Sequence, residues 1–279
     1  MQDTTFQQIA ALAHHHSGQD LSPVKPYLLE ARLAAISRRE SFASLDDLAH
    51  CLTSRPNKRF EAEIASALTP KQTQFFADRD QLERIVTHAL PEMLKASNTG
   101  RLRVWCAGVS SGQEAYSLAM RLSELEGSPL CQADIELVAT DLSAKSVAEA
   151  QAGLYSHFDI QKGLSVHRML ANFERQVSGD WLICESLRSR VTFRQHNLLT
   201  PPGPLGQFDL IICRNVLPTM ARDKQIEAVA HLNAQLSPKG QLFVATGESL
   251  TGLSEDLEPS RSVRGAWCHS QTLNETAAA

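Results

Sequence analysis

Several common sequence features are missing from this 279-residue chain, and each absence narrows its class. No run of about 18 apolar residues could cross a bilayer, and no charged-then-apolar leader begins the sequence, so we expect no membrane insertion. The six cysteines form no C-x-x-C pair, which favours reduced thiols and a cytoplasmic location. The net charge of −4 argues against a nucleic-acid partner, because phosphate binding needs a concentrated basic face.

Metal-ligand patterns are also lacking. His14, His15 and His16 are adjacent, but consecutive helix residues point about 100° apart and cannot converge on one ion. No acidic or cysteine cluster has ligand spacing. The sequence therefore predicts no metal site.

The most informative stretch, residues 101–122, is an apolar run followed by two glycines, an acid and a helical pattern. Gly108 and Gly112 allow backbone to approach a ligand at the start of that helix. Their spacing is G-x-x-x-G, whereas dinucleotide enzymes need G-x-G-x-x-G and triphosphate sites need G-x-x-x-x-G-K-[ST]. This difference favours a nucleoside bound without phosphates.

A second apolar run, residues 135–142, contains an acid at its end, Asp141. In a doubly wound sheet, a carboxylate at the carboxyl end of the second strand can accept hydrogen bonds from both ribose hydroxyls. Taken alone, such an acid is as often a helix cap or loop residue. Because it follows the glycine loop, we interpret Asp141 as a ribose ligand.

Residues 1–72 show helical periodicity and no strand signal, which predicts an all-α domain. Its helices are expected near 3–15, 24–39, 44–53 and 57–68. Two basic groups lie here, Arg38 with Arg39 and Arg55 with Lys58 and Arg59. They are either solvated helix faces or a surface for an acidic partner.

Residues 73–279 alternate strands and helices, which predicts an α/β, doubly wound, Rossmann-like sheet. A helix is expected at 80–95, another from Arg222, and a closing antiparallel strand within SVRGAWCHS. The parallel strands are expected near 102–106, 135–140, 191–195, 208–213 and 240–246. A small inserted subdomain is predicted at about 157–190, with Trp181–Cys184 as its clearest strand.

Several motifs in order, AGVSSGQEAYSLAM, VATDLS, GLYSHFDIQKGL and FDLIICRNVL, extend this pattern over nearly the whole chain. In these motifs the chain resembles the CheR family of S-adenosylmethionine-dependent protein-glutamate O-methyltransferases, which methylate chemoreceptors. The resemblance implies S-adenosylmethionine as cofactor and S-adenosylhomocysteine as product. It also implies an acidic methylation helix of a chemoreceptor, or of a similar signalling protein, as partner.

The resemblance further implies a set of cofactor-binding residues. Asp141 would bind the ribose, Asn197 and Leu198 the adenine, and Arg214 and Asn215 the methionine part. A strand-end turn is the alternative for Asn197, and a surface ion pair for Arg214. The full set is Thr73, Gly108, Gly112, Glu114, Asp141, Asn197, Leu198, Arg214 and Asn215. No catalytic residue is assigned, because an acceptor glutamate with a pKa near 4.3 is already ionised.

Two positions depart from the family pattern. Ala77 stands where T-x-F-F-R has its arginine, and Thr219 stands where R-N-V-x-I-Y-F has its tyrosine. An active protein-glutamate methyltransferase is the first interpretation. A cofactor-binding regulatory module with weak catalysis, and a methyltransferase acting on another protein or a small molecule, are the alternatives.

Overall fold

The computed structural model describes residues 2–125, 127–201, 203 and 205–270. The chain forms two compact units. Of the described residues, one unit contains those up to Lys71 together with Val216–Ala228, and the other contains those in Gln72–Asn215 and from Val229 to residue 270. Within the described ranges, no helix is long and apolar enough to span a membrane. The domain bounds at 72 and 73 stay a prediction.

The first unit is helical, as predicted. Its helices are α1 Asp3–Ser17, α2 Pro26–Arg39, α3 Leu45–Ser54 and α4 Lys58–Leu68. Apolar residues three or four apart, such as Leu29 and Leu33 in α2, have no solvent exposure and form the core with Ile9 and Ile64. The Ser44 hydroxyl accepts a hydrogen bond from the Asp47 N–H and caps α3.

The second unit contains two sheets. Its strands are β1 Arg101–Ala107, β2 Asp134–Asp141, β3 Leu154–Tyr155, β4 Phe173–Arg175, β5 Trp181–Ile183, β6 Val191–Gln195, β7 Phe208–Cys213, β8 Leu236–Phe243, β9 Leu257–Pro259 and β10 Ala266–His269. The remaining helices of the chain are α5 Arg79–Arg84, α6 Leu90–Ala96, α7 Gln113–Ser123, α8 Ala144–Ala152, α9 His157–Gln161, α10 Val166–Asn172, α11 Glu185–Arg188 and α12 Arg222–Gln235. A π-helical turn, Ile85–Ala89, joins α5 to α6.

The large sheet has seven strands in the order β6-β2-β1-β7-β8-β10-β9. Strands β6, β2, β1, β7 and β8 pair in parallel, and β10 pairs antiparallel with β8. The predicted doubly wound sheet and its closing antiparallel strand are therefore confirmed. Because β1 pairs with β2 on one side and β7 on the other, strand order reverses there, and a crevice opens at the carboxyl ends.

Two features of this sheet differ from the sequence prediction. Strand β8 begins at Leu236 rather than near residue 240, and its register against β7 shifts between Phe208 and Leu210. Pro238 lies within this irregular stretch, where a strand can accommodate a residue without an N–H. Strand β9 was not predicted, because three residues are too few to show a period of two.

The smaller sheet is antiparallel, with the order β3-β5-β4. Its central strand β5 confirms the strand predicted at Trp181–Cys184. Gly163, in the loop before α10, has a φ of +89° and packs against the backbone of Phe75. Arg79 donates a hydrogen bond of 3.0 Å to the Gly163 carbonyl, so the insert also contacts the start of α5.

Replacing Gly163 with alanine is expected to destabilise the fold, because the added Cβ would overlap the Phe75 carbonyl oxygen. Gly179→Ala is the matched control, since Gly179 has a φ of +93° and its added methyl group would meet no other described atom within 4 Å. The left-handed backbone alone should cost about 1–2 kcal/mol in both variants, and overlap should add about 1–3 kcal/mol in Gly163→Ala. Urea unfolding measures both, and equal losses would contradict the packing role.

Candidate functional site

The carboxyl ends of three adjacent strands carry four of the nine predicted site residues. Gly108 follows β1, Asp141 ends β2, and Arg214 and Asn215 follow β7. Because β2, β1 and β7 are neighbours in the sheet, these residues lie along one edge. The structure therefore brings the predicted ribose and methionine ligands to the same crevice.

Asp141 joins the loops that follow β1 and β2. One carboxylate oxygen accepts a hydrogen bond of 2.7 Å from the Ser110 N–H, and the other accepts one of 2.8 Å from the Ser143 N–H. The carboxylate is thus fixed at the edge of the crevice by backbone groups. These two contacts are those expected of a helix-cap or loop residue, which was the alternative interpretation of Asp141. Binding of a ribose by Asp141 stays a prediction.

Arg214 and Glu114 form a buried ion pair. Arg214 Nε lies 2.7 Å from Glu114 Oε2, and only 6% of the arginine side chain is exposed. The Arg214 Nε–H is poorly aligned with the carboxylate, so the contact is an ion pair rather than a hydrogen bond. The predicted alternative of a surface ion pair for Arg214 is wrong, because the arginine side chain is buried, while 20% of the Glu114 side chain is exposed.

Burial is the main influence on Glu114. It raises the pKa of the carboxyl above its ordinary value of 4.5, and the Arg214 charge opposes this rise. Tyr116, in the same helix, is also buried and donates a hydrogen bond of 2.8 Å to the Ala150 carbonyl. Glu114 is therefore held on a rigid helix with one cation beside it.

The Arg214 guanidinium also binds the segment that precedes α5. Both terminal nitrogens lie 3.1 Å from the Ala77 carbonyl oxygen, and one lies 3.3 Å from Gln81 Oε1. Ala77 itself has no cationic side chain, but Arg214, which follows β7, contacts its backbone carbonyl. The chain therefore lacks the arginine of the T-x-F-F-R pattern at residue 77, but the Arg214 guanidinium lies against the backbone at that residue.

Sequence reasoning missed Gln81. This side chain is 1% exposed, accepts from Arg214 and donates a hydrogen bond of 2.6 Å to the Val244 carbonyl after β8. The available signal was Asp78, which caps α5 by accepting a hydrogen bond from the Gln81 N–H. That pattern marks a helix start but does not reveal that the third residue points into a crevice.

Glu248 was also missed. Its two carboxylate oxygens accept hydrogen bonds of 2.9 Å from the Asn215 and Ala245 N–H groups. Burial raises the pKa of this carboxyl, and the two backbone donors oppose the rise. The signal for it was an acid shortly after a predicted strand, the same signal that identified Asp141.

Three non-glycine residues with positive φ share one arrangement. Such backbone is strained, and it persists where the surroundings hold it. The N–H of each residue donates to a side-chain oxygen from another segment. The pairs are Phe76 with Ser117, Ser110 with Asp141, and Asn215 with Glu248. The strain is therefore concentrated in loops at the carboxyl edge of the sheet.

Gly112 has a packing role. A Cβ there would lie 2.9 Å from the Ala150 Cβ and 3.2 Å from the Phe193 ring. Its φ of +92° also favours glycine at the start of α7. The sequence predicted that a ligand would approach the backbone at Gly112. Where a Cβ would project, the neighbours are instead Ala150 of α8 and Phe193 of β6.

Asn197, Leu198 and Thr73 lie apart from the ion pair in sequence. Asn197 Oδ1 accepts a hydrogen bond of 3.0 Å from the Leu199 N–H, which is the strand-end turn of the alternative interpretation. Leu198 is buried, and its carbonyl accepts a hydrogen bond of 2.8 Å from His231. Thr73 is partly exposed in the segment before α5. Their contact with an adenine or a methionine stays a prediction.

Thr219 lies in the first unit. Its hydroxyl donates a hydrogen bond of 2.7 Å to the Val216 carbonyl and its own carbonyl accepts one of 3.0 Å from the Asp20 N–H. His14 lies 3.2 Å from Asp223 in the same unit. No group of three or more potential metal ligands occurs among the residues that the structure describes.

Two thiols lie beneath the crevice. Cys106 in β1 and Cys213 at the end of β7 are buried, and β1 and β7 are adjacent. Burial raises the pKa of both thiols, and the nearby acids, including Glu114, add to the rise.

Comparison with known families and proteins agrees with this geometry. The model for the CheR methyltransferase SAM binding domain matches residues 71–265, and the model for the CheR methyltransferase all-alpha domain matches residues 4–69. The chain belongs to the CheR methyltransferase family. Its cofactor is S-adenosylmethionine.

Curated relatives cover most of this CheR methyltransferase. A chemotaxis protein methyltransferase of Pseudomonas aeruginosa is 35% identical over 233 residues, which are 83% of this chain and 85% of the relative. One of Pseudomonas putida is 32% identical over 252 residues, which are 90% of this chain and 92% of the relative. One of Vibrio cholerae is 31% identical over 260 residues, which are 93% and 94% of the two chains.

Arg214→Met is expected to reduce the free energy of unfolding by about 3–5 kcal/mol at neutral pH, because it leaves Glu114 buried without its cation. In a Glu114→Gln background the same change should cost less. The pKa of Glu114 is already raised and should rise further in Arg214→Met. Protonated Glu114 is favoured in the folded state, so its contribution to the free energy of unfolding is present below the ordinary pKa of 4.5 and is lost as pH rises through the raised pKa of the folded protein. Arg214→Met should therefore be least destabilised in acid.

Urea unfolding of the two single variants and the double variant, at about pH 4 and about pH 8, measures the coupling. An Arg214→Met loss that is independent of both pH and Glu114 would show that the ion pair contributes nothing, and that the hydrogen bonds to Ala77 and Gln81 account for the effect.

Proposed function

We propose that this protein transfers the methyl group of S-adenosylmethionine to glutamate side-chain carboxylates of chemoreceptors, in chemotactic adaptation. The main support is the Arg214–Glu114 pair, which lies with Asp141 along the carboxyl ends of β2, β1 and β7 at the switch point of a CheR methyltransferase sheet. The names of the curated relatives, chemotaxis protein methyltransferases, support the same system. They do not favour the alternative of a catalytically weak, cofactor-binding regulatory or interaction module.

The residues of the crevice fit the cofactor chemically. Asp141 is an acid fixed at the carboxyl end of β2, where it would accept hydrogen bonds from the ribose hydroxyls. Glu114 and Arg214 offer a carboxylate and a guanidinium for the ammonium and carboxylate of the methionine part. Gly108, Gly112, Thr73, Asn197, Leu198 and Asn215 complete the proposed cofactor set.

Bound S-adenosylmethionine supplies a methyl group activated by a sulfonium. The acceptor glutamate is ionised at neutral pH, so the protein needs no general base. Its task is to align the acceptor carboxylate and to exclude water. The positive charge of Arg214, held in place by Ala77 and Gln81, would also attract the acceptor carboxylate without a direct contact, and we expect turnover despite the missing arginine at residue 77.

The proposed partner is the acidic methylation helix of a chemoreceptor. Arg55, Lys58 and Arg59, at the junction of α3 and α4, are exposed and form a basic group in the first unit. Arg39, in contrast, is bound by Glu40 and Glu63 within that unit. An acidic helix would therefore contact the group at 55–59 rather than Arg39.

Asp141→Asn should weaken S-adenosylhomocysteine binding about 10- to 100-fold, because hydrogen bonds from the ribose to a charged group are lost. Asp134→Asn is the matched control, since Asp134 is exposed and lies at the amino-terminal end of the same strand, away from the crevice at the carboxyl ends. Isothermal titration measures both. Equal affinity of the two variants would remove Asp141 from the cofactor site.

Methyl groups transferred from tritiated S-adenosylmethionine to receptor-containing membranes should be released by alkali as volatile methanol, because esters hydrolyse and methylated amines do not. Heat-inactivated protein is the blank, and Asp141→Asn should reduce the alkali-labile counts. Counts that resist alkali would indicate another acceptor atom, and cofactor binding without any transfer would contradict the proposed activity.

A further inference from the structure

A cavity lies next to the crevice that contains the proposed methyl-transfer site. It has a volume of about 390 Å³ and lies between the end of α5, the segment that follows β8, and the loop before β10. Gln81 and Glu248 line it, and both also contact the residues after β7. The cavity and the Arg214 site therefore share two walls.

Two arginines line this cavity. Arg84 ends α5 and has a buried Nε with no hydrogen-bond partner among the described residues, and Arg264 is exposed in the loop before β10. Neither forms an ion pair within the part of the chain that the structure describes. A guanidinium without a carboxylate, at the wall of a cavity, is suited to bind one from a ligand.

The acids of the cavity are mostly engaged. Asp78 accepts hydrogen bonds from the Gln81 N–H and the Thr246 hydroxyl. Glu248 accepts from two backbone N–H groups. Asp80 is exposed. The cavity therefore holds three acids and two arginines, and the two guanidinium groups have N–H donors left for a ligand carboxylate.

The order of the strands indicates which ligand this is. The ribose acid is on β2 and the cation for the methionine part follows β7, so the proposed cofactor runs in that direction along the edge. Strands are spaced about 4.8 Å apart, so β8 and β10 lie about 5 and 10 Å beyond β7. A ligand that approaches the reactive end of the cofactor would continue into this cavity.

We propose that Arg84 and Arg264 bind a second carboxylate of the acceptor segment, one helical turn from the glutamate that is methylated. One turn of helix is about 5.4 Å, which is close to the spacing of about 4.8 Å between neighbouring strands such as β7 and β8. This inference rests on the proposed function and adds a specificity-determining pair to it. It predicts a preference for glutamates with an acid three or four residues away.

The test measures methyl transfer to the cytoplasmic fragment of a chemoreceptor from the same organism. Arg84→Gln combined with Arg264→Gln should raise KM for the fragment about tenfold, with kcat and S-adenosylhomocysteine affinity unchanged. Arg190→Gln, an exposed arginine just before β6 at the opposite edge of the sheet, is the matched control and should leave KM unchanged.

A receptor fragment with glutamine in place of the neighbouring acid completes the experiment. It should raise KM for the wild-type enzyme and have little further effect in the double variant, because the two changes remove one contact. Unchanged KM, additive effects, or loss of S-adenosylhomocysteine affinity in a folded double variant would each overturn the inference. Arg264 is exposed, so Arg264→Gln alone gives a partial effect even where Arg84→Gln fails to fold.

The proposed function and this inference fail in different ways. If the wild-type enzyme transfers no alkali-labile methyl to the receptor fragment, the function itself is wrong. If the wild-type enzyme transfers methyl and the double variant has the same KM, only the role of Arg84 and Arg264 is wrong.

Discussion

The buried guanidinium of Arg214 is the constraint on which the site depends. Removing a charge from water is costly, and it is tolerated only where partners compensate for the lost hydration. Here those partners come from three segments that are distant in sequence: Glu114 in α7, the Ala77 carbonyl, and Gln81 in α5. One cation therefore fixes the relative positions of a helix start, a loop and a strand end.

The strained loops extend that arrangement along the sheet. Phe76, Ser110 and Asn215 adopt positive φ, and the N–H of each donates to a side chain from another segment. Two of the acceptors, Asp141 and Glu248, are the acids at the ends of β2 and just beyond β8. The same carboxylates that stabilise the backbone thus also determine the charge of the crevice, which couples loop geometry to ligand chemistry.

The sequence was sufficient to predict those elements that have a strong periodicity of apolar residues or a recognisable motif. The four helices of the first unit, the parallel strands and the position of Asp141 follow from apolar spacing and from the order of strands. Gln81 and Glu248 were missed because their roles come from tertiary contacts with Arg214 and Asn215. The start of α2 at Pro26, rather than near residue 24, also differs: Pro26 occupies the first helical turn, and the preceding segment forms a turn in which the Ser22 N–H donates a hydrogen bond to Asp20.

The buried thiols of Cys106 and Cys213 have a chemical consequence. A sulfonium is an alkylating agent, and a thiolate would be a better nucleophile toward it than a carboxylate. Because burial raises the pKa of both cysteines, they remain protonated beneath the crevice. Burial therefore keeps both thiols in the protonated form, which is a poor nucleophile toward a sulfonium.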